Sequence, residues 1–391
     1  MATELSSPFE ALSVSDILNA LEIDPGIVAE EPKHYFAIPG NSGPRWLIPA
    51  HSSASASVLS AWKPYSISGQ LKWFAIRMAA RAGVLRLVAS VSRVAASREG
   101  ALRWFERCGI ASRTGEIVVL VGNPSPDRKL IVFLLDDAHR IAAVLKVGLT
   151  ASGGLAVIHE AEVLSRLERY SWAPKLLSVH FDQRAAAQEY VHGAMPNLEF
   201  RQEYLDLLCR LPRTGNSKSL TDVADDMASR LNPFKAELNK VTPDLLDRAL
   251  ACLDLDVTVP TLLVHGDFAP WNIRKNPEVG YVLVDWEWAD FAGLPAYDLL
   301  HFHFNNDWLF GGKAVGSAVT RARPICAEYL RRLNLDPEIL PRLAIAYLLD
   351  QLDSRCHELG SAFTAYTLSQ LAIIVDTLGV VLQPGAQIPE Q

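Results

Sequence analysis

Apolar residues gather into short runs in the middle of the chain and into longer helical periods on either side of it. Three runs stand out, Glu116–Val121, Leu130–Leu135 and Ile141–Val147, separated by GNPSPDRK and by a turn over Asp136–Arg140. Runs of this length, bounded by Gly, Pro and Asp, predict strands, and connections this short predict an antiparallel meander. A loop at Thr150–Gly154 follows. Apolar positions at 157, 161, 164 and 167 then predict a helix from about Leu155 to Tyr170. Pro174–Phe181 and Ala185–Val191 read as two further strands, whereas residues 197–255 and 314–383 read mainly as helices, with one β-region near 261–285. Toward the N-terminus, IPGNSGPRWLIP reads as turns around short extended pieces, HSSASAS as a small-residue loop, and Gln70–Arg98 as helix divided near Gly83. No internal repeat is visible.

The expected class is α+β: a small antiparallel sheet with one helix, then a larger, mainly helical part. The 391-residue length suits two or three domains, placed at 1–108 (an N-terminal extension), 109–193 (the sheet) and 194–391 (the helical part). Charge separates the first of these. From Pro32 through Arg98 there is no Asp or Glu, against nine Lys and Arg, while the remaining 28 basic residues face 44 acidic ones. The basic stretch is either a solvated face with arginines lying along it or a surface for an anionic partner. Arg77 and Arg81 fall on one side of the expected helix and Arg86 and Arg93 on another, which counts against a single membrane-facing stripe. Those arginines also interrupt the most apolar long stretch, Trp73–Ala96, so no spanning segment is expected. A net charge of −7 makes nucleic acid a poor main partner. Five scattered cysteines without metal or redox spacing, and an acidic N-terminus lacking a basic region before an apolar one, fit a cytoplasmic protein.

The chemistry concentrates in TLLVHGDFAPWNIRKNPEVGYVLVDWEWADFAGLPAYDLL, Thr261–Leu300. One apolar run delivers His265, Gly266 and Asp267 into a loop, Asn272 follows, and a second run delivers Asp285. Carboxylates and an amide oxygen are hard donors that suit Mg²⁺ when phosphate completes the shell. A carboxylate left free of the metal can take a proton from a hydroxyl nucleophile. His301 and His303 offer metal-binding atoms but no third ligand at zinc-like spacing, and read as helix residues.

H-G-D-x-x-x-x-N, a strand ending D-W-E and the trailing G-L-P-A-Y-D-L together resemble the aminoglycoside phosphotransferase/choline kinase-like group of protein-kinase-fold enzymes. The likeness spans roughly residues 116–360. It implies a protein-kinase-like two-lobe fold using ATP and Mg²⁺. In that reading Asp267 is the base toward the acceptor hydroxyl, Asn272 and Asp285 hold Mg²⁺, and His265 and Asp298 brace the loop. It also implies Lys146 on the nucleotide phosphates with a carboxylate partner on the next helix. Glu160 and Glu162 flank Ala161 on opposite sides, and the family's E-A-x-x-L pattern favours Glu160. QEYVHG resembles the adenine-binding hinge, around Glu189–Val191, while GNPSPDRK lacks the three glycines of a protein-kinase phosphate loop. The implied activity is transfer of the γ-phosphoryl group to a hydroxyl of a small molecule, metabolite or antibiotic. An inactive nucleotide-binding scaffold and a metal-dependent phosphohydrolase are the competing readings.

Overall fold

The computed structural model describes all residues except 1–10, 24–31, 41, 51–57, 60–63, 66, 86–91, 312–316 and 379–391, so the HSSASAS segment and Arg86 lie outside the described residues. The chain divides into two compact units, Met1–Met195 with Arg274–Glu287, and Pro196–Ile273 with Trp288–Gln391.

The first unit is built on an eight-stranded antiparallel sheet. Its strands are β1 (Pro32–Gly40), β2 (Gly43–Pro49), β3 (Ser92–Ser97), β4 (Ile117–Val121), β5 (Lys129–Leu135), β6 (Ile141–Gly148), β7 (Leu176–His180) and β8 (Ala185–Glu189), in the order β3-β1-β2-β4-β5-β6-β8-β7. The three expected strands form its centre. Three strands from the N-terminal hundred residues extend it, joined where Trp46 and Leu47 pair with Leu120 and Val119. Helices α1 (Val14–Ala20), α2 (Ile67–Arg81), α3 (Arg98–Arg107) and α4 (Ala151–Leu167) complete the unit. The expected helix over Gln70–Arg98 ends at Arg81. Ser92–Ser97 is instead a strand laddered to β1, Pro32 opposite Ser97 and Ala37 opposite Ser92. Pairing with an open sheet edge outweighs the helical preference of its Ala and Arg residues.

Every residue of β4 is buried, because the sheet is covered on both faces. Val119 and Val121 pack with Leu21, Trp104, Phe105 and Leu145, while Val118 and Leu120 pack with Trp46, Trp73 and Ala79. Successive side chains of a strand point to opposite faces. Two covered faces therefore read in sequence as an unbroken apolar run, IVVLV.

The second unit contains α5 (Gln202–Leu208), α6 (Leu220–Leu231), α7 (Lys235–Val241), α8 (Leu245–Leu253), α9 (Tyr297–Phe310), α10 (Ser317–Arg332) and the long α11 (Leu340–Leu378). A three-stranded antiparallel sheet in the order β13-β10-β9 lies among them, made of β9 (Arg213–Ser219), β10 (Thr258–Val264) and β13 (Asp290–Gly293). β9 falls where helix was expected. A hairpin of β11 (Ile273–Asn276) and β12 (Gly280–Leu283) carries the chain back into the first unit, where Ala194 bridges Lys275 and the Leu283 N–H donates to the Trp172 carbonyl at 2.8 Å. The α+β class, an antiparallel sheet followed by a mainly helical part, is the one read from the sequence. Among the described residues no helix is long and apolar enough to cross a membrane. Cys108, Cys209, Cys252 and Cys326 are free thiols whose pKa burial raises, so none is poised as a nucleophile.

Candidate active site

In the first unit the chemistry is organised around one ammonium. Lys146 faces inward from β6 and is 5% exposed. Its Nζ donates to Glu160 Oε1 and Oε2 at 2.8 and 2.6 Å and to Asp285 Oδ1 at 2.6 Å. Burial works against its charge, but Asp285 and Glu160 outweigh that and hold its pKa above the ordinary lysine value. Glu160 lies on the face of α4 that buries Val157, Ala161, Leu164 and Leu167, and so is itself buried, whereas Glu162 points outward. The Trp286 backbone N–H donates to Glu160 Oε1 at 3.2 Å, which orients that carboxylate.

The two carboxylates differ in reach. Glu160 is sealed beneath Lys146, whereas the Asp285 side chain is 31% exposed. Asp285 follows β12 with φ of 72°, in the left-handed region that a non-glycine residue enters at a cost of about 1–3 kcal/mol. The fold holds this carboxylate in a conformation it would not choose by itself.

A second ammonium stands beside it. Lys129, at the start of β5, donates to Glu287 and lies 3.7 Å from Asp285 Oδ1. Burial lowers its pKa, opposed by Asp285. Lys129 is not among the residues that the sequence singled out. The signal was available in the register: Ile131 pairs with Lys146, and Lys129, two residues earlier, shares its face of the strand. The residues expected to form the hinge, Glu189–Val191, lie at the end of β8 and just beyond it. The Glu189 side chain is exposed, its N–H donates to the Lys175 carbonyl at 2.8 Å, and Val191 is half-buried.

In the second unit β10 ends at Val264 and releases the loop His265–Asn272. Gly266 takes φ of +79°, and a Cβ there would lie 2.0 Å from the Trp288 carbonyl oxygen, so only glycine fits. Asp298, on the first turn of α9, accepts the His265 N–H at 2.8 Å and the Gly266 N–H at 3.0 Å. Burial pushes its pKa up to about 7; the two amides pull it down and the Asp267 charge adds to the rise. The buried His265 accepts the Asp267 N–H through Nδ1 at 3.3 Å.

Asp267 is held from two sides. Asn272 Nδ2 donates to its carbonyl at 2.9 Å and to Oδ2 at 2.8 Å. His301 Nε2 meets Oδ1 at 2.9 Å, and His301 Nδ1 lies 3.2 Å from the Tyr347 hydroxyl on α11. His301 is the residue that sequence reasoning assigned only to a helix. Three residues after Asp298 on α9, it lies on the same side of the helix, and that spacing was the available clue. His303 does not join it; it packs against Phe200, and burial lowers its pKa to about 4. Among the described residues no cluster of three His, Cys, Asp or Glu is arranged to hold a metal ion. Asn272 turns its amide nitrogen to Asp267, and the partly exposed Asp285 carboxylate is a hard donor, so each residue taken by itself offers an oxygen that suits Mg²⁺.

A cavity of about 550 Å³ opens within the second unit, lined by Gly266, Trp288, Asp222, Asp226, Tyr297 and Asp350 among others. Arg230, also on its wall, is bound to Asp350 at 3.0 Å and to Asp353.

Comparison with known proteins adds a family. The model of the phosphotransferase enzyme family matches residues 132–351. No curated protein matches the chain. Among solved structures, aminoglycoside phosphotransferase APH(4)-Ia is 16% identical with a TM-score of 0.49, covering 71% of this chain and 99% of its own. The streptomycin–ATP–APH(2")-IIa ternary complex is 15% identical with a TM-score of 0.42, covering 70% and 95%. A putative aminoglycoside phosphotransferase from Ralstonia eutropha JMP134 is 13% identical with a TM-score of 0.46, covering 71% and 98%.

Proposed function

The chain belongs to the phosphotransferase enzyme family, whose model spans more than half of it, and from that premise we propose that it transfers the γ-phosphoryl group of ATP to a hydroxyl of a small molecule. One observation carries the reading: a buried ammonium, Lys146, clamped by two carboxylates of which only Asp285 reaches outward. A purely structural ion pair has no use for a second, strained and partly exposed carboxylate.

In this reading Lys146 aligns the nucleotide phosphates, with Glu160 fixing the ammonium and Lys129 adding positive charge beside it. Backbone groups of Glu189–Val191 receive the adenine. Asn272 and Asp285 would hold Mg²⁺, which when bound would neutralise charge on the phosphate oxygens. Asp267 takes the proton of the acceptor hydroxyl as its oxygen bonds to phosphorus, and the bond to the leaving ADP oxygen breaks. Asn272 and His301 keep the Asp267 carboxylate in one rotamer, and His265 and Asp298 fix the backbone that carries it. The acceptor enters the cavity beside Gly266, the residue preceding Asp267. On its wall Asp222, Asp226, Asp290 and Asp350 outnumber Lys218 and Arg230, of which Arg230 pairs with Asp226 and Asp350, and the remaining excess of carboxylate favours a neutral or cationic polyol or amino alcohol.

The test is a thermal-shift titration with ATP, GTP and ADP, with and without Mg²⁺, followed by an acceptor screen with labelled nucleotide. A magnesium-dependent shift that is lost in Asp285→Ala, with retained binding but roughly 10²–10⁴-fold slower transfer in Asp267→Asn, is the expected result. A folded protein that no nucleotide shifts would reject the reading in favour of an inactive scaffold. Rapid hydrolysis with no transfer to any acceptor would favour a phosphohydrolase.

A further inference from the structure

Helix α2, Ile67–Arg81, is apolar on both sides. Its inner face carries Trp73, Ala79 and Ala80 into the core against Trp46, Ile48 and Val118, and the Trp73 indole N–H donates to the Leu59 carbonyl at 2.9 Å. Its outer face presents Leu71, Phe74 and Met78, which are 68%, 62% and 46% exposed. At about 100° per residue these three fall within roughly 60° of arc, opposite the buried face. Val84, just past the helix, is also exposed. Monomeric proteins seldom leave a contiguous apolar stripe in water.

Cations border the stripe. Arg81 flanks it on one side and Lys72 lies beyond Ala75 on the other; both are exposed. No carboxylate occurs anywhere from Pro32 through Arg98 to neutralise them within this stretch. Lys72 and Arg81 still stand half a turn apart, one on each flank of the stripe, but Arg93, which the sequence placed on the same helix, does not share it. The helix ends at Arg81, and Arg93 belongs to β3.

We propose that the outer face of α2 is a membrane-docking surface that lies in the interface of an anionic bilayer, with Leu71, Phe74 and Met78 in the acyl boundary and Lys72 and Arg81 among the headgroups. An apolar ridge bordered by cations is the pattern of an interfacial helix. The ridge distinguishes the occupant. Nucleic acid would be served by the cations but not by Leu, Phe and Met, whereas a bilayer uses both. Among the described residues no helix is long and apolar enough to cross a membrane, and the docking proposed is that of the α2 face lying in the interface. The inference is independent of phosphoryl transfer.

Cosedimentation of the full chain with vesicles tests it, using equimolar phosphatidylserine and phosphatidylcholine against phosphatidylcholine alone. The expected result is binding to the anionic vesicles that weakens with salt. Lys72→Gln with Arg81→Gln lowers the partition about 30-fold, at about 1 kcal/mol per cation. Phe74→Ser with Met78→Ser lowers it at least about tenfold through lost apolar burial. Circular dichroism and the urea midpoint confirm that each variant is folded; Leu71→Ser, at the most exposed of the three apolar positions, replaces the apolar variant if that one is not, and Lys72→Gln alone replaces the charge variant. Absence of binding, equal binding to both vesicle types, or loss in the charge variant with none in the apolar variant overturns the proposal. Concentration-dependent self-association in sedimentation velocity, abolished by the same apolar substitutions, also overturns it and assigns the face to a second copy of the chain.

Discussion

Removal of the Lys146 ammonium tests the organisation of the first unit directly. Lys146→Met keeps most of the side-chain volume and the apolar stem, so the cavity contribution is small. What it removes is the charge that Glu160 meets at 2.6 Å and Asp285 at 2.6 Å. Glu160 is 2% exposed and cannot recover its hydration. Taking one partner from a buried ion pair costs about 3–5 kcal/mol, because the other charge stays buried. At roughly 2–4 °C per kcal/mol for a unit of this size, the midpoint should fall by roughly 6–20 °C. Glu160→Gln should cost less, about 1–3 kcal/mol, since Asp285 still serves the ammonium and the glutamine oxygen can still accept the Trp286 N–H. The double variant carries the decisive information. With neither charge buried, its loss should fall short of the sum of the single losses by about 1–3 kcal/mol. Urea titrations of the wild type and the three variants, followed by tryptophan fluorescence, give all four energies. Additivity within about 0.5 kcal/mol would refute the argument, because the two charges would then not be holding each other in place.

Two further outcomes follow from the second unit. His301→Ala should slow transfer by roughly 10–100-fold while the nucleotide-induced thermal shift persists, and His301→Gln, which can still donate to Asp267 Oδ1, should recover part of the rate; unchanged turnover in His301→Ala would remove the residue from the site. Asp298 has a folded pKa of about 7, above the ordinary 3.8 of an aspartate. Between those values the folded protein keeps a proton that the unfolded chain has released, so this group's contribution to stability falls as pH rises through the window and is constant above it. The change is of order 4 kcal/mol, and Asp298→Asn should flatten it in urea midpoints measured across that range.

The centre of the sheet was legible because β4, β5 and β6 are covered and therefore apolar, and the loop holding Asp267 was legible because two apolar strands frame polar residues at fixed spacing. The partner of Lys146 was also legible, though not from Ala161 alone. The four apolar positions 157, 161, 164 and 167 define a face that includes residue 160 and excludes 162, and Glu160 is the one buried. Ser92–Ser97 and Arg213–Ser219 were not legible. SRVAAS and RTGNSKS have no apolar alternation, and each is a strand because a neighbouring strand offers its backbone. Such pairing leaves no mark in the segment itself. His301 escaped for a related reason: its role depends on the loop that Asp298 anchors, and a helix pattern scored by apolar positions gives no weight to a histidine.

The first unit is assembled from two separated lengths of chain, and this bears on the order of events during synthesis. Residues 1–195 emerge from the ribosome first, with Lys146 and Glu160 already in place, but Asp285 and the Trp286 amide belong to Arg274–Glu287. Some eighty residues of the second unit must be translated before that segment arrives, which at 5–20 residues per second takes roughly 4–16 s. Throughout that interval the nascent chain carries a sheet whose buried ammonium has only one of its two carboxylates. A fragment ending at Met195 would be arrested in the same condition. An excised version of this unit therefore needs residues 274–287 grafted back after Met195 before the ion cluster around Lys146 is complete.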